Sequence, residues 1–206
     1  MKVLLINGSP HQHGATDVAL NEVANKLKEH KIETEILWLG TKAMQGCIAC
    51  GNCSKTGKCV FNDLVNETNA RAAEFDAMVV GGPVYYGGIC GQLTAFLDRL
   101  FYCSHGAWKH KLGASVVTCR RAGNTAAYQR LNQYFGISNM PIVTSRYWNL
   151  IHGNSAEEAR QDEEGLQTMR VLGENMAWLL KCIQAGKENG VQDPVYEKAV
   201  FTNFIR

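Results

Sequence analysis

Short apolar runs alternate along the chain with segments in which apolar residues recur every three to four positions. A parallel sheet wrapped by helices requires that pattern. Val3-Leu4-Leu5-Ile6 is an uninterrupted apolar run and predicts a central strand buried on both faces. Leu20, Val23, Ala24 and Leu27 then share one face of a helix that ends near His30. From Ile32 to Trp38 apolar and polar residues mostly alternate, which predicts a half-buried strand towards a sheet edge. Ala77 to Val80 predicts a second buried strand, ended by Gly81-Gly82-Pro83. Leu93, Phe96, Leu97, Leu100 and Phe101 mark the next helix. Ala114 to Thr118 and Ile142 to Thr144 supply two more strands, with a helix from Thr125 to Tyr134 between them. Ser155-Ala156-Glu157-Glu158 has capping-box form and opens one long final helix. Its core face reads Leu166, Met169, Leu172, Met176, Leu179 and Ile183, and Lys181 and Lys187 near its end suit the helix dipole.

Strands and helices in this alternation predict an α/β fold, a doubly wound five-stranded parallel sheet of flavodoxin-like order 2-1-3-4-5. Residues 1–188 form one domain with a cysteine-rich insertion at 46–60, and residues 189–206 form a C-terminal tail. Tyr196, Phe201 and Phe204 suggest that the tail docks on something, such as a second subunit.

Of 206 residues, 46% are apolar and 19% charged, which is ordinary globular usage. The formal charge is +2 with dispersed basic residues, so nucleic acid and anionic membranes are not expected partners. The apolar run behind Met1-Lys2 is too short for a signal peptide or a membrane span, and a cytoplasmic location is expected. There, eight cysteines point to metal or redox chemistry rather than to a disulfide framework.

Three loops and one cysteine motif carry the candidate chemistry. Asn7 to Thr16 joins the first strand to the first helix, a glycine- and hydroxyl-rich turn suited to an anion. It has neither the G-x-G-x-x-G pattern of a dinucleotide site nor a Gly-Lys-Ser/Thr for phosphoryl transfer. A terminal phosphate monoester suits it, held by the Ser9 and Thr16 hydroxyls and by backbone amides around Gly14 and Ala15, with His11 adding charge. A plain turn in which Ser9 and Thr16 act as caps is the alternative. Pro83, Val84, Tyr85, Tyr86 and Gly87 follow the third strand, where flanking glycines would let a flat ligand approach and the tyrosines offer aromatic surface. Thr118, Arg120, Arg121 and Gly123 form a cationic third loop, which equally suits a solvated helix start. Trp148 and His152 are candidates for a pocket wall or a subunit contact.

Cys47-x2-Cys50-x2-Cys53-x5-Cys59 is the sharpest signal. Four thiolates in so short a loop suit one compact iron–sulfur cluster. Structural zinc, a redox disulfide and an empty loop are the other readings of that spacing. Cys90, Cys103, Cys119 and Cys182 fall on helix or strand patterns and are expected as small buried residues.

Ile6-Asn7-Gly8-Ser9-Pro10, Gly82-Pro83-Val84-Tyr85-Tyr86-Gly87 and Leu97-Asp98-Arg99 together resemble the NADPH-dependent FMN reductase family over roughly the first two-thirds of the chain. His11 stands where that family often has arginine. The resemblance implies FMN on the three loops, and there the cationic Arg120 and Arg121 would stabilise negative charge at a reduced flavin's pyrimidine side. It also implies assembly as a homodimer or homotetramer. Asp98 and Arg99 are expected to be structural. The cysteine segment is similar to that of the iron–sulfur flavoprotein branch, which implies a [4Fe–4S] cluster on Cys47, Cys50, Cys53 and Cys59 feeding FMN. The resulting expectation is an FMN-dependent oxidoreductase. NAD(P)H or a ferredoxin-like donor would reduce it, and a small acceptor such as a quinone, azo compound or free flavin would reoxidise it. The alternatives are an electron carrier between protein partners and a flavin-free, zinc-held module. No catalytic acid, base or nucleophile is expected from the protein.

Overall fold

The computed structural model describes residues 1–202 and Phe204, so positions 203, 205 and 206 of the predicted tail lie outside the described residues. In chain order the elements are β1 (Lys2–Asn7), α1 (Ala15–Glu29), β2 (Glu33–Trp38), α2 (Asn52–Thr56), α3 (Leu64–Ala70), β3 (Ala77–Tyr85), β4 (Gly88–Ile89), α4 (Gly91–Cys103), β5 (Leu112–Cys119), α5 (Asn124–Ile137), β6 (Leu150–His152), α6 (Ala156–Ala159) and α7 (Glu163–Glu188). The sheet runs β2-β1-β3-β5-β6 with every neighbour parallel, and β4 folds back antiparallel on the end of β3. With β5 and β6 counted as the fourth and fifth parallel strands, this is the flavodoxin-like order.

Alternation explains the unbroken apolar run of β1. Val3 and Leu5 face one layer, built with α1 and α7, while Leu4 and Ile6 face the other, built with α3, α4 and α5. β3 divides likewise, Ala77 and Val79 from Met78 and Val80. Each buried Val, Leu, Ile or Met side chain among these is worth about 1.5–3 kcal/mol over an exposed one. β2 lies at the sheet edge and is only half-buried, as its alternating pattern predicts.

Five expectations are corrected. β3 does not stop at Gly81-Gly82-Pro83 but pairs with β5 as far as Pro83 and continues to Tyr85. Those glycines also do not make room for a ligand. A Cβ at Gly81 would lie 2.9 Å from Leu20, and one at Gly82 would lie 2.6 Å from Leu93. They let α1 and α4 sit close on the strand.

The fifth strand is not Ile142–Thr144. Ile142 makes a single bridge to Gly113, and the strand proper resumes as β6 after an excursion. Two hydrogen bonds to α7 divert the chain there: Ser145 Oγ donates to the Thr168 carbonyl at 2.7 Å, and Asn175 Nδ2 to the Thr144 carbonyl at 2.8 Å.

The last helix is two helices. Ser155 caps the short α6, and Asp162 caps α7 by accepting from the Gly165 amide at 2.9 Å. The other Asp162 oxygen accepts from His152 N at 2.7 Å, which ties α7 to the end of β6. The predicted core face otherwise holds, with Met169, Leu172 and Met176 buried and Leu166, Leu179 and Ile183 partly so. Finally, Cys90, Cys103 and Cys119 are buried as expected, but Cys182 is exposed.

Candidate functional site

The C-terminal ends of β1, β3 and β5 meet at one edge of the sheet, so their loops are neighbours by topology. The first loop holds its own shape. Asn7 is fully buried, accepts from Ser9 N at 3.0 Å and donates to the Gln12 carbonyl at 3.1 Å. Ser9 Oγ accepts from His11 N at 3.1 Å, and Trp38 Nε1 donates to the Ser9 carbonyl at 2.8 Å. Gly14 precedes α1 without any side-chain cap. The first-turn amides from Ala15 onward therefore have no cap competing for them, and they carry the positive end of the helix dipole. His11 is exposed beside them.

Thr16 is placed differently from the sequence expectation. Its hydroxyl is buried and bonds to the Thr118 hydroxyl at 2.9 Å, which joins the first loop to the third. Gly8 completes the link to β3, its N–H donating to the Gly81 carbonyl at 2.9 Å.

The second loop is a tight hairpin. Val84 pairs with Ile89 and Tyr85 with Gly88, leaving Tyr86 (φ 50°) and Gly87 (φ 80°) as the two central residues. Positive φ at both positions is the type I′ geometry that fits the twist of two-residue hairpins. The turn presents Tyr86 fully to solvent and leaves Tyr85 48% exposed. Burial, then the neighbouring Cys90, raises the Tyr85 phenol above its ordinary pKa.

The third loop abuts the second. Gly123 has φ 85°, and a Cβ there would lie 2.7 Å from Gly87 Cα and 2.9 Å from Val84 Cγ1. Arg120 and Arg121 are exposed on this loop and make no ion pair among the described residues. The three loops thus form one joined rim. A helix N-terminus and two arginines supply its positive charge, and two tyrosines supply its aromatic surface.

The cysteine motif lies between β2 and α3, with Cys47 and Cys50 exposed and Cys53 and Cys59 half-buried against the α4 layer. Left-handed residues Ala49, Gly51 and Gly57 fold the segment around α2. Asn66 brackets its end, accepting from Cys59 N at 2.8 Å and donating to the carbonyls of Cys59 and Phe61, each at 3.0 Å. His105 bonds the Cys53 carbonyl through Nε2 at 2.7 Å. All eight cysteines are free thiols. Among the described residues no three His, Cys, Asp or Glu side chains stand close enough together to hold a metal ion. The donor set nevertheless fits an iron–sulfur cluster in number and softness. It consists of four unbridged thiols on one short loop, and Cys59 Sγ accepts from the Arg99 guanidinium at 3.2 Å.

Several residues here went unread in the sequence. Asp63 and Asn66 act through single polar contacts, and α3 is a seven-residue helix that buries only Val65 and Thr68, so neither leaves a periodic signal. Cys103 stands on α4 against the motif, and its thiol is pushed up to about 12 by burial and by the neighbouring Cys59 and Cys53. Its spacing of four from Arg99 puts both on one helix face, a signal that the sequence did carry.

Trp148 lies on the excursion before β6, where it meets Tyr147 edge-to-face with ring centroids 4.8 Å apart. His152 reaches Asn124 at 3.2 Å. The described residues of the tail are exposed, and the tail touches the body where Tyr196 bonds His110 at 2.9 Å and lies under Lys109. A groove of about 920 Å³ runs between α4 and α5, with Phe101, Tyr134 and Ile137 in its wall. No helix among the described residues is long and apolar enough to cross a membrane.

Comparison with known proteins places this geometry. An iron–sulfur flavoprotein of Methanocaldococcus jannaschii is 33% identical over 192 residues, which cover 89% of this chain and 100% of that protein. RosB, solved with bound 8-demethyl-8-formylriboflavin-5′-phosphate, superposes with a TM-score of 0.70 at 13% identity, covering 100% of this chain and 93% of that one. A flavodoxin from the domain Archaea superposes at 0.60 with 15% identity, over 88% of this chain and 98% of that one. The latter two likenesses bear on the fold alone. The model of the NADPH-dependent FMN reductase family matches residues 1–155, which include all three loops and the cysteine motif, and the chain belongs to that family.

Proposed function

We propose that this protein binds FMN on the three joined loops and passes electrons from NAD(P)H to a small acceptor such as a quinone, an azo compound or a free flavin. The observation that carries the reading is the joining of the loops, through the Thr16–Thr118 bond and the Gly87–Gly123 contact. It makes an anion site, an aromatic turn and a cationic loop into one surface. The uncapped amides of α1, with Ser9 and His11, would hold the phosphate. Val84, Tyr85, Tyr86 and Gly87 would line the ring, and Arg120 and Arg121 would favour negative charge at its pyrimidine side. FMN, when bound, supplies the hydride and electron chemistry. The protein's residues bind it, orient it and set its electrostatics.

The four thiols of Cys47, Cys50, Cys53 and Cys59 would hold a [4Fe–4S] cluster that supplies single electrons. Exposure of Cys47 and Cys50, beside the exposed apolar Ile48 and Val60, favours a second reading in which a ferredoxin-like protein is the donor. On this reading the protein is an electron carrier between partners. Exposed Tyr147, Trp148 and Trp178 support assembly as a homodimer or homotetramer, and the reading places the protein in the cytoplasm.

Anaerobic mixing of the flavin-loaded protein with NADH, NADPH or a reduced ferredoxin tests the reading. Bleaching of the flavin by a nicotinamide within a turnover time, and its recovery on adding a quinone, is the expected result. Bleaching by ferredoxin alone would make the protein a carrier, and bleaching by none of the three would sink both readings.

A further inference from the structure

Arg99 has a side chain only 1% exposed, and all its donors are engaged. Nε donates to Cys59 Sγ at 3.2 Å, Nη1 to Asp63 Oδ2 at 2.7 Å and to the Gln45 carbonyl at 3.2 Å, and Nη2 to Asp63 Oδ1 at 2.8 Å and to the Phe61 carbonyl at 3.5 Å. Its flat face lies 5.0 Å from the centre of the Phe61 ring. These partners lie on both sides of the cysteine motif, Gln45 ahead of Cys47 and the others at and beyond Cys59. One buried side chain therefore ties both ends of the loop to α4.

A buried guanidinium needs its carboxylate and its carbonyls, since an uncompensated buried charge is costly. It does not need a sulfur. A neutral thiol is a weak acceptor, and an electron-rich thiolate a much better one. The Nε–H···Sγ bond therefore gains strength once Cys59 is a thiolate ligand.

The same helix also reaches the flavin loops. Cys90 Sγ donates to the Gly8 carbonyl at 3.2 Å, and Leu93 lies where Cβ atoms at Gly8 and Gly82 would be, 2.7 Å and 2.6 Å away. Gln92 Nε2 donates to the Gly40 carbonyl at 3.0 Å, where the chain leaves β2 for the cysteine loop. α4 thus fixes the cysteine loop and the flavin loops relative to one another.

We propose that Arg99 is a positioning residue of the four-cysteine centre. It closes the loop, and its bond to Cys59 makes the bound centre easier to reduce than the same four ligands would be alone. The inference rests on the reading that these cysteines hold a cluster. Reduction adds negative charge that spreads onto the ligating sulfurs, and an N–H donor carrying a full positive charge stabilises it there.

The test compares wild-type protein with Arg99→Lys, which keeps the charge but loses the fork, and with Asp63→Asn, which leaves Nε free to reach Cys59. Anaerobic redox titration, followed by electron paramagnetic resonance for the cluster and by absorbance for the flavin, gives both potentials on one sample. Amide hydrogen exchange over residues 45–63 is measured on the iron-stripped protein. Arg99→Lys should lower the cluster potential, leave the flavin couple in place and speed exchange in 45–63 about tenfold. Asp63→Asn should speed exchange similarly with a smaller change of potential. A cluster potential unchanged in Arg99→Lys, or moved equally by both variants, overturns the role of the sulfur bond. If Arg99→Lys does not fold, unchanged exchange in Asp63→Asn overturns the loop closure. Wild-type protein that takes up no iron defeats the cluster reading and with it the potential. Exchange then decides the loop closure separately, faster exchange upholding it and unchanged exchange overturning it.

Discussion

Thr16, at the start of α1, and Thr118, at the end of β5, bond hydroxyl to hydroxyl at 2.9 Å across a sequence separation of 102, and both are buried. The bond connects the first loop to the cationic third loop. Replacing one hydroxyl by a methyl group leaves the other buried without its partner. Thr118→Val should therefore destabilise the fold by about 1–3 kcal/mol and weaken FMN binding. The double variant Thr16→Val/Thr118→Val removes both polar groups and should recover most of the stability without recovering flavin affinity. Urea unfolding and flavin-fluorescence titration of the three proteins would measure it. A double variant no more stable than the single one would show that the pair is not energetically coupled.

Gly123 needs its missing side chain for two reasons. Its φ of 85° disfavours any Cβ, and the Cβ would lie 2.7 Å from Gly87 Cα, a backbone atom that cannot turn away. Gly123→Ala should cost about 1–3 kcal/mol and push the tyrosine turn off the third loop. Gly87 also has positive φ, but a Cβ there meets nothing within 4 Å, so Gly87→Ala strains only the turn. The measurable consequence is that Gly123→Ala loses more flavin affinity than Gly87→Ala. The reverse order would remove the loop contact from the account of the site.

The residues that sequence reasoning read well are those whose signal is periodic. β1 and β3 announce themselves because strands buried on both faces must be apolar without interruption. α1 and α4 do so because one face repeats at helical spacing. What escaped reading depends on single contacts. Nothing in Ile142-Val143-Thr144 tells that Ser145 and Asn175 will draw the following chain onto α7. Nothing in Gly81-Gly82 tells that the absent side chains make way for Leu20 and Leu93 rather than for a ligand. At the site, the loops were legible by composition and position. The Thr16–Thr118 pairing and the Arg99 fork join residues far apart in the chain, and no local pattern encodes them.

Glu35 on the edge strand accepts both Nη groups of Arg71 at 2.7 Å and is also 2.9 Å from Lys2. The Arg71 fork holds its carboxyl down at about 2, from an ordinary 4.5, with Lys2 adding to the effect and partial burial opposing it. A carboxyl lowered on folding stabilises the folded state above its unfolded pKa, and the contribution fades as pH falls towards the folded value. Wild-type stability should therefore drop between pH 4.5 and about 2 more steeply than that of Glu35→Gln. Because the site is part-exposed, the difference is about 1 kcal/mol or less and shrinks with salt. Thermal unfolding of the two proteins at pH 6 and pH 3, at low and high salt, would show it. Parallel curves would mean that the fork persists in the unfolded chain or contributes nothing.

Arg120 and Arg121 have no carboxylate partner among the described residues, so the loop keeps their charge for whatever lies beside it. With FMN on the rim, two positive charges near the pyrimidine ring favour the anionic reduced flavin over the neutral oxidised one. Arg120→Gln/Arg121→Gln should lower the flavin's reduction potential while leaving the unfolding free energy within about 0.5 kcal/mol of wild type, since both side chains are exposed. High salt should lower the wild-type potential towards that of the variant, because exposed charges are screened. Spectroelectrochemical titration at two salt concentrations separates the cases. A potential unmoved by both the substitution and the salt would place the arginines away from the flavin, as solvated residues leading into α5.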